Sequence, residues 1–213
     1  MLIDAAPDLQ IITNGRNFSS SVIQAIQQYC EGAPYVSLAF FYFSYTDIEK
    51  QKASNFIRSI LGQFIHQKGR TSEIVKALFR TYKHGTPPTK KILSVLQSVL
   101  ELPGENFLII DALDECPVQA NGRDELCKYL KYLASLKRLH ILVTGRKNPD
   151  LEEGLRGIEG LLQVPFSNSI VDADIRFYVN SQLDTNPRFR SMTWLPKVKG
   201  DILRGLESGS KGM

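Results

Sequence analysis

The sequence predicts an α/β fold: a parallel sheet with flanking helices, plus a small C-terminal helical appendage. Three observations predict it. Short apolar runs rich in aromatic and branched residues alternate with longer stretches of helical period, and strands separated by helices need the long crossovers of a parallel sheet. The strand-like runs are continuously apolar, as befits strands covered on both faces. From Asp172 onward strand-like runs stop and "DADIRFYVNSQL" and "PKVKGDILRGL" carry only helical period.

The elements follow in order. "VSLAFFYF", Val36 to Phe43, comes after the turn-forming "GAP" and is read as a buried strand. In "EKQKASNFIRSILGQFIHQ" the apolar residues Ala53, Phe56, Ile57, Ile60, Leu61, Phe64 and Ile65 recur at spacings of three and four, the stripe of an amphipathic helix ending near Gly69. Helices over Ser72–Tyr82 and Thr89–Leu100 flank the breaker "HGTPPT". "NFLII" is a second strand. "DELCKYLKYLASLKR" gives a helix with Leu126, Tyr129, Leu130, Leu133 and Leu136 on one side, and "HILVT" is a third strand. A short helix around Leu151–Arg156 and the run "LLQVPF" supply a fourth. The expected domains are 1–16, a divergent segment; 17–168, the α/β domain; and 169–213, the start of a helical extension.

Composition removes several classes. With 213 residues, 43% hydrophobic and 23% charged, the chain suits an ordinary globular core. The net charge of +4 includes no run of five like charges, so no nucleic-acid partner is expected. No apolar stretch reaches the ~20 residues of a membrane span, and "MLIDAAPDLQ" lacks a signal peptide's basic start, so no membrane partner and a cytoplasmic location are expected. Cys30, Cys116 and Cys127 lack metal-site spacing and are read as reduced thiols.

The chemistry concentrates in "FLIIDALDEC", residues 107–116. Ligands of an open parallel sheet bind beyond the carboxyl ends of its strands, where Asp111 falls. A carboxylate there can hold a hydrated Mg²⁺ alongside phosphate oxygens. Ala112 is small enough for a close backbone turn, and Glu115 is placed to orient or deprotonate a water. The same residues also suit an acidic loop capping the next helix.

This segment resembles the Walker B segment of NACHT-type (STAND class) signal-transduction NTPases, whose pattern is an apolar strand, Asp, a small residue, a variable position and Asp-Glu. "VSLAFFYFSYTDIEKQKASNFIRSILGQFIHQ" resembles the stretch after the P-loop helix in fungal members with a nephrocystin 3-like N-terminal domain. "HILVTGRKNPDLEEGL" resembles their sensor segment and "DADIRFYVNSQLDTNPRF…W" the helical stretch beyond it. The resemblance covers about Ser19 to Met213 and implies a P-loop NTPase-like parallel sheet with flanking helices, incomplete at the N-terminus. It implies Mg²⁺ at Asp111, water or Mg²⁺ positioning by Asp114 and Glu115, and γ-phosphate contact from Arg146, with Thr144 adding a hydroxyl. It implies ATP and Mg²⁺ as cofactors, and other NACHT-type chains or the chain itself as partners.

The phosphate half of such a site is not found. A P-loop needs G-x-x-x-x-G-K-[ST] between strand and helix, with backbone N–H groups around the phosphates. The corresponding place holds "IITNGRNFSSSVIQAI", where Gly15-Arg16-Asn17 reads as a turn and helix cap; "GLESGSKG" has the wrong residue order. The chain therefore reads as a truncated module without its first strand, Walker A motif and most of its helical region. The expected function is a partial NACHT/STAND module, derived from a nucleotide-dependent oligomerisation switch, that binds and hydrolyses ATP poorly by itself. The alternative is a non-catalytic regulatory fragment docking on full-length NACHT proteins through a sheet edge left bare by the missing strand. A Mg²⁺-dependent nuclease or phosphohydrolase would need more convergent ligands than the scattered His66, His84 and His140 offer.

Overall fold

The computed structural model describes residues 9–13, 16–33, 35–68, 73–118, 122–165, 177, 179–190 and 196–210. Five strands form one sheet: β1 (Leu9–Thr13), β2 (Val36–Tyr42), β3 (Glu105–Asp111), β4 (Leu139–Gly145) and β5 (Leu162–Pro165), in the order β2-β3-β4-β1-β5. β2 pairs with β3, β3 with β4 and β4 with β1, all parallel. Among the described residues these helices accompany them: α1 (Arg16–Gly32), α2 (Ala53–Lys68), α3 (Glu73–Thr81), α4 (Thr89–Leu100), α5 (Gly122–Ala134) and α6 (Pro149–Leu155). The expected parallel α/β sheet is present.

The expectation of a missing first strand is corrected. "LQIIT" is that strand, with Leu9 opposite Ile141 and Thr13 opposite Gly145. Only five residues long, it is too short to show a period, but Ile11, Ile12 and Thr13 are branched and suited to a pleated surface. The sheet edge expected to be left bare by a missing first strand is filled by β1, with β5 beyond it.

Two apolar layers sandwich the sheet. The larger packs α2, α4, α5 and α6 on one face, through residues such as Phe41, Phe56, Leu96, Leu108, Leu130 and Leu155. The smaller joins Ile23 of α1 to Leu38 and Ile109 on the other face, with Phe40, Tyr42 and Phe107 half-buried around them. A right-handed crossover explains the division. α1 carries the chain from β1 past β4 and β3 out to β2, whereas the later helices return it along the opposite face, through β3 to β4 and then past β1 to β5. The direction of travel reverses at β1 and β4. That makes the carboxyl ends of these strands and of β3 the crevice where such sheets bind ligands.

The α2 stripe packs as its spacing predicts: Ala53, Phe56, Ile57, Ile60, Leu61 and Phe64 are buried and Ile65 is partly so. Phe41, Phe43 and Phe56 meet at ring separations of 4.9, 5.4 and 5.9 Å, in edge-on and tilted arrangements that add to their area burial. α6 starts because the Asn148 side chain accepts the N–H groups of Asp150 and Leu151 and Pro149 supplies a preset φ. Before β3, Gly104 has φ +119, and a Cβ there would sit 1.7 Å from the Tyr35 carbonyl oxygen, so only glycine fits the turn.

The chain divides into two units, 1–164 and 165–213. The second is helical over 179–185, Pro187–Arg190 and Pro196–Ser210, and Lys199 bridges to Asp184 at 2.8 Å. Residues 166–176, which include the expected boundary near 170, lie outside the described residues. Among the described residues no helix is long and apolar enough to cross a membrane.

Candidate functional site

Asp111 is the last residue of β3, half-buried at the reversal point of the sheet. Two hydroxyls converge on its Oδ1. Ser19, the fourth residue of α1, donates its Oγ proton over 2.6 Å, and Thr144 of β4 donates from Oγ1 to the same oxygen. Ser19 is 0% and Thr144 1% exposed, so neither hydroxyl can turn to bulk water instead. Charge-assisted hydrogen bonds of this kind are the stronger class. The two hydroxyl oxygens lie 3.2 Å apart, and Thr144 Oγ1 also accepts the Ala112 N–H at 3.4 Å.

The chain then turns sharply. Ala112 has φ 55 and ψ 47, the left-handed region that a small residue enters at least cost. Leu113–Glu115 form a 3-10 turn anchored by the buried Leu113, with Glu115 N–H donating to the Ala112 carbonyl at 2.9 Å. This turn directs the two remaining carboxylates away from Asp111. Asp114 Oδ1 accepts the Arg146 backbone N–H at 2.9 Å, and Glu115 Oε2 accepts the Tyr45 N–H at 3.0 Å. A Cβ on Gly145 would lie 3.1 Å from Asp114 Oδ1, so glycine permits this close approach. The Arg146 guanidinium is exposed and has no ion pair among the described residues.

The structure thus joins Asp111 to Thr144 directly and Asp114 to the backbone of Arg146. Glu115 is turned toward the β2 side. Sequence reading missed two further members, Ser19 and Arg123. Ser19 lies four residues before the buried Ile23, on the same helix face, which is the signal that could have found it. Arg123 stands three and four residues before the buried Leu126 and Cys127. Its Nη2 donates to the Asp114 and Cys116 carbonyls at 3.0 and 2.8 Å, and its Nη1 to Asn148 at 3.4 Å and Asp150 at 3.3 Å. This arginine fastens the Asp114–Cys116 turn to the start of α6. Burial pushes the adjacent Cys116 thiol up to about 11, away from the reactive thiolate.

Fit to Mg²⁺ and to nucleotide can be judged separately. A carboxylate with a helix-borne hydroxyl beside it is a suitable donor pair for Mg²⁺ when phosphate oxygens complete the shell. Among the described residues no group of three or more His, Cys, Asp or Glu side chains is placed to hold a metal by itself. The phosphate side does not fit a P-loop. Only Asn14 and Gly15 separate β1 from α1, against the eight positions of a Walker A string. Those two residues and the side chains of Arg16 and Asn17 lie outside the described residues.

A parallel sheet of this strand order, with a carboxylate and two hydroxyls gathered at its reversal point, defines the class as a P-loop ATPase-like α/β fold. The chain belongs to the Nephrocystin 3, N-terminal family, whose model matches residues 17–146, more than half of its length. Among solved structures it is similar to Drosophila ORC bound to AT-rich DNA and Cdc6, with 9% identity over 94% of this chain and 69% of that one and a TM-score of 0.45. A Walker-type ATPase of Pyrococcus abyssi is similar at 14% identity, over 93% of this chain and 57% of that one, with a TM-score of 0.44. Cdc6p from Pyrobaculum aerophilum is similar at 8% identity, over 78% and 41% of the two chains, with a TM-score of 0.42. No curated protein matches the sequence. The expectation that nucleic acid is no partner is withdrawn, since the Drosophila ORC structures to which the chain is similar are bound to DNA.

Proposed function

We propose that the chain is an ATPase-like module of the NACHT/STAND signalling class, derived from a nucleotide-dependent oligomerisation switch, which binds and hydrolyses ATP poorly by itself. The observation that carries this reading is the two-residue connection between β1 and α1. Phosphate affinity in such folds rests on a longer loop of backbone N–H groups followed by a lysine. Residues 107–116 serve as the Walker B-type segment, with Asp111 and Ser19 as the Mg²⁺ side and Thr144 and Arg146 facing nucleotide. Asp114 and Glu115 occupy the catalytic positions of the class. In this chain their carboxylates hold the amides of Arg146 and Tyr45, which supports a reduced catalytic role.

Calorimetric titration with Mg-ATP tests the proposal. The expected Kd is weaker than about 1 mM, a binding free energy smaller than about 4 kcal/mol. At 1 mM Mg-ATP such a ligand stabilises the fold by no more than about 0.4 kcal/mol, whereas a micromolar ligand would contribute about 4 kcal/mol. Micromolar affinity, with a matching rise in thermal stability, overturns the reading.

A further inference from the structure

β2 is an edge strand, and an edge strand presents a row of backbone groups to any strand that approaches. Its sequence, VSLAFFY, is apolar and aromatic apart from Ser37. In the parallel pairing with β3, Phe43 N–H donates to the Asp111 carbonyl, so Ser37, Ala39, Phe41 and Phe43 direct their backbone groups inward. Val36, Leu38, Phe40 and Tyr42 direct theirs outward. The Val36 N–H and both outward groups of Leu38 and of Phe40 are nonetheless occupied. Val36 N–H donates to the Ala33 carbonyl at 2.9 Å. Leu38 N–H donates to Gln67 Oε1 at 2.8 Å, and Gln67 Nε2 donates back to the Leu38 carbonyl. Phe40 N–H donates to Gln63 Oε1 at 3.0 Å, and Gln63 Nε2 donates back to the Phe40 carbonyl at 2.8 Å.

Each glutamine amide therefore accepts and donates to one residue as a neighbouring strand's peptide group would. The match is geometric. Four residues of helix rise about 6.0 Å and two residues of strand about 6.6 Å, so glutamines four apart on α2 meet alternate residues of β2. The run is antiparallel, Gln67 at Leu38 and Gln63 at Phe40. One turn earlier on α2 stands Ser59, whose short side chain instead receives Gln63 Nε2 at 3.2 Å, which fixes the amide's orientation. The Gln67 amide is likewise steadied by the Gln63 carbonyl at 3.3 Å.

We propose that Gln63 and Gln67 form a two-amide cap that closes β2 against addition of the same strand from a second copy of this chain. A second copy is the occupant the edge would take, because two identical apolar β2 strands related by a two-fold axis can pair along their whole length. The cap leaves the strand apolar for core packing while removing, at Leu38 and Phe40, the hydrogen-bonding template that apolar edges offer.

The test compares the wild type with Gln63→Leu/Gln67→Leu, which preserves helix propensity and side-chain bulk but removes both amides. By light scattering, the wild type is expected to remain monomeric as concentration rises, and the variant to form dimers or larger species at the same concentrations. By native-state amide exchange of the wild type, Leu38 and Phe40 should be protected to within about tenfold of Ala39 and Phe41, which face β3. That measurement needs no variant and decides the matter if the double variant does not fold. A folded variant that stays monomeric, or wild-type Leu38 and Phe40 amides that exchange like open loop positions, overturns the proposal.

Discussion

Asp111, Asp114 and Glu115 share a charge and a five-residue stretch, yet they hold different things. Asp111 takes two buried hydroxyl protons on one oxygen, while Asp114 and Glu115 each cap a backbone amide across a loop. Ser19 is the residue whose removal separates these roles. Ser19→Ala leaves Thr144 as the hydroxyl donor on Oδ1 and is expected to cost about 1–3 kcal/mol of stability, the range for removing one partner of a buried hydrogen bond. Urea unfolding measures this, and a change within about 0.5 kcal/mol would place Ser19 with ordinary surface substitutions. The acidic cluster was legible because carboxylates after an apolar run stand out in any sequence. The hydroxyl from α1 was not, since Ser19 lies 92 residues from Asp111 and only the crossover brings them together. Arg123 was hidden for a similar reason, as its partners Cys116 and Asn148 belong to two separate loops.

Among elements, legibility followed length and period. α2 matched its apolar stripe because it presents a repeated face over several turns, and α4 spans the range expected after the breaker. β1 was not legible because five residues cannot establish a period. The pairing of α2 with β2 had a dual signature that only the structure makes readable. The same helix buries Phe56 on one side and sends Gln63 and Gln67 along its flank to the strand edge. Phe56 is 0% exposed and touches both Phe41 and Phe43, so it pins the helix to the strand that the glutamines line. Phe56→Ala is expected to cost about 3–5 kcal/mol through lost contacts and a residual cavity. Chemical denaturation with unchanged m-value checks it, and a loss below about 1 kcal/mol would mean that α2 is not anchored at this ring.

At the scale of the molecule, the larger layer couples titration to stability. Cys116, Cys127 and Tyr129 all belong to it, and burial is the first cause of their raised values. The Cys116 thiol is pushed up to about 11 from an ordinary 9.0, and the Tyr129 phenol to about 12 from 10.0, with Glu125 as its hydrogen-bond acceptor. A group whose proton is held more tightly in the folded state stabilises fully below its unfolded value, and that contribution disappears as pH rises through the folded one. Above pH 9 the unfolded chain releases thiol protons that the folded chain keeps, so stability falls, first between about 9 and 11 for Cys116 and then between about 10 and 12 for Tyr129. Lys68 acts in the opposite direction, since burial lowers its value and the folded chain gives up that proton first. Three groups of one sign in the same apolar layer outweigh this single half-exposed amine. The unfolding free energy should therefore decline steadily from pH 9 to pH 11 in denaturant titrations, and Cys116→Ala should show a shallower decline over the same interval. A wild-type stability that is flat across it would show that these protons are held no more tightly in the folded layer than in the open chain.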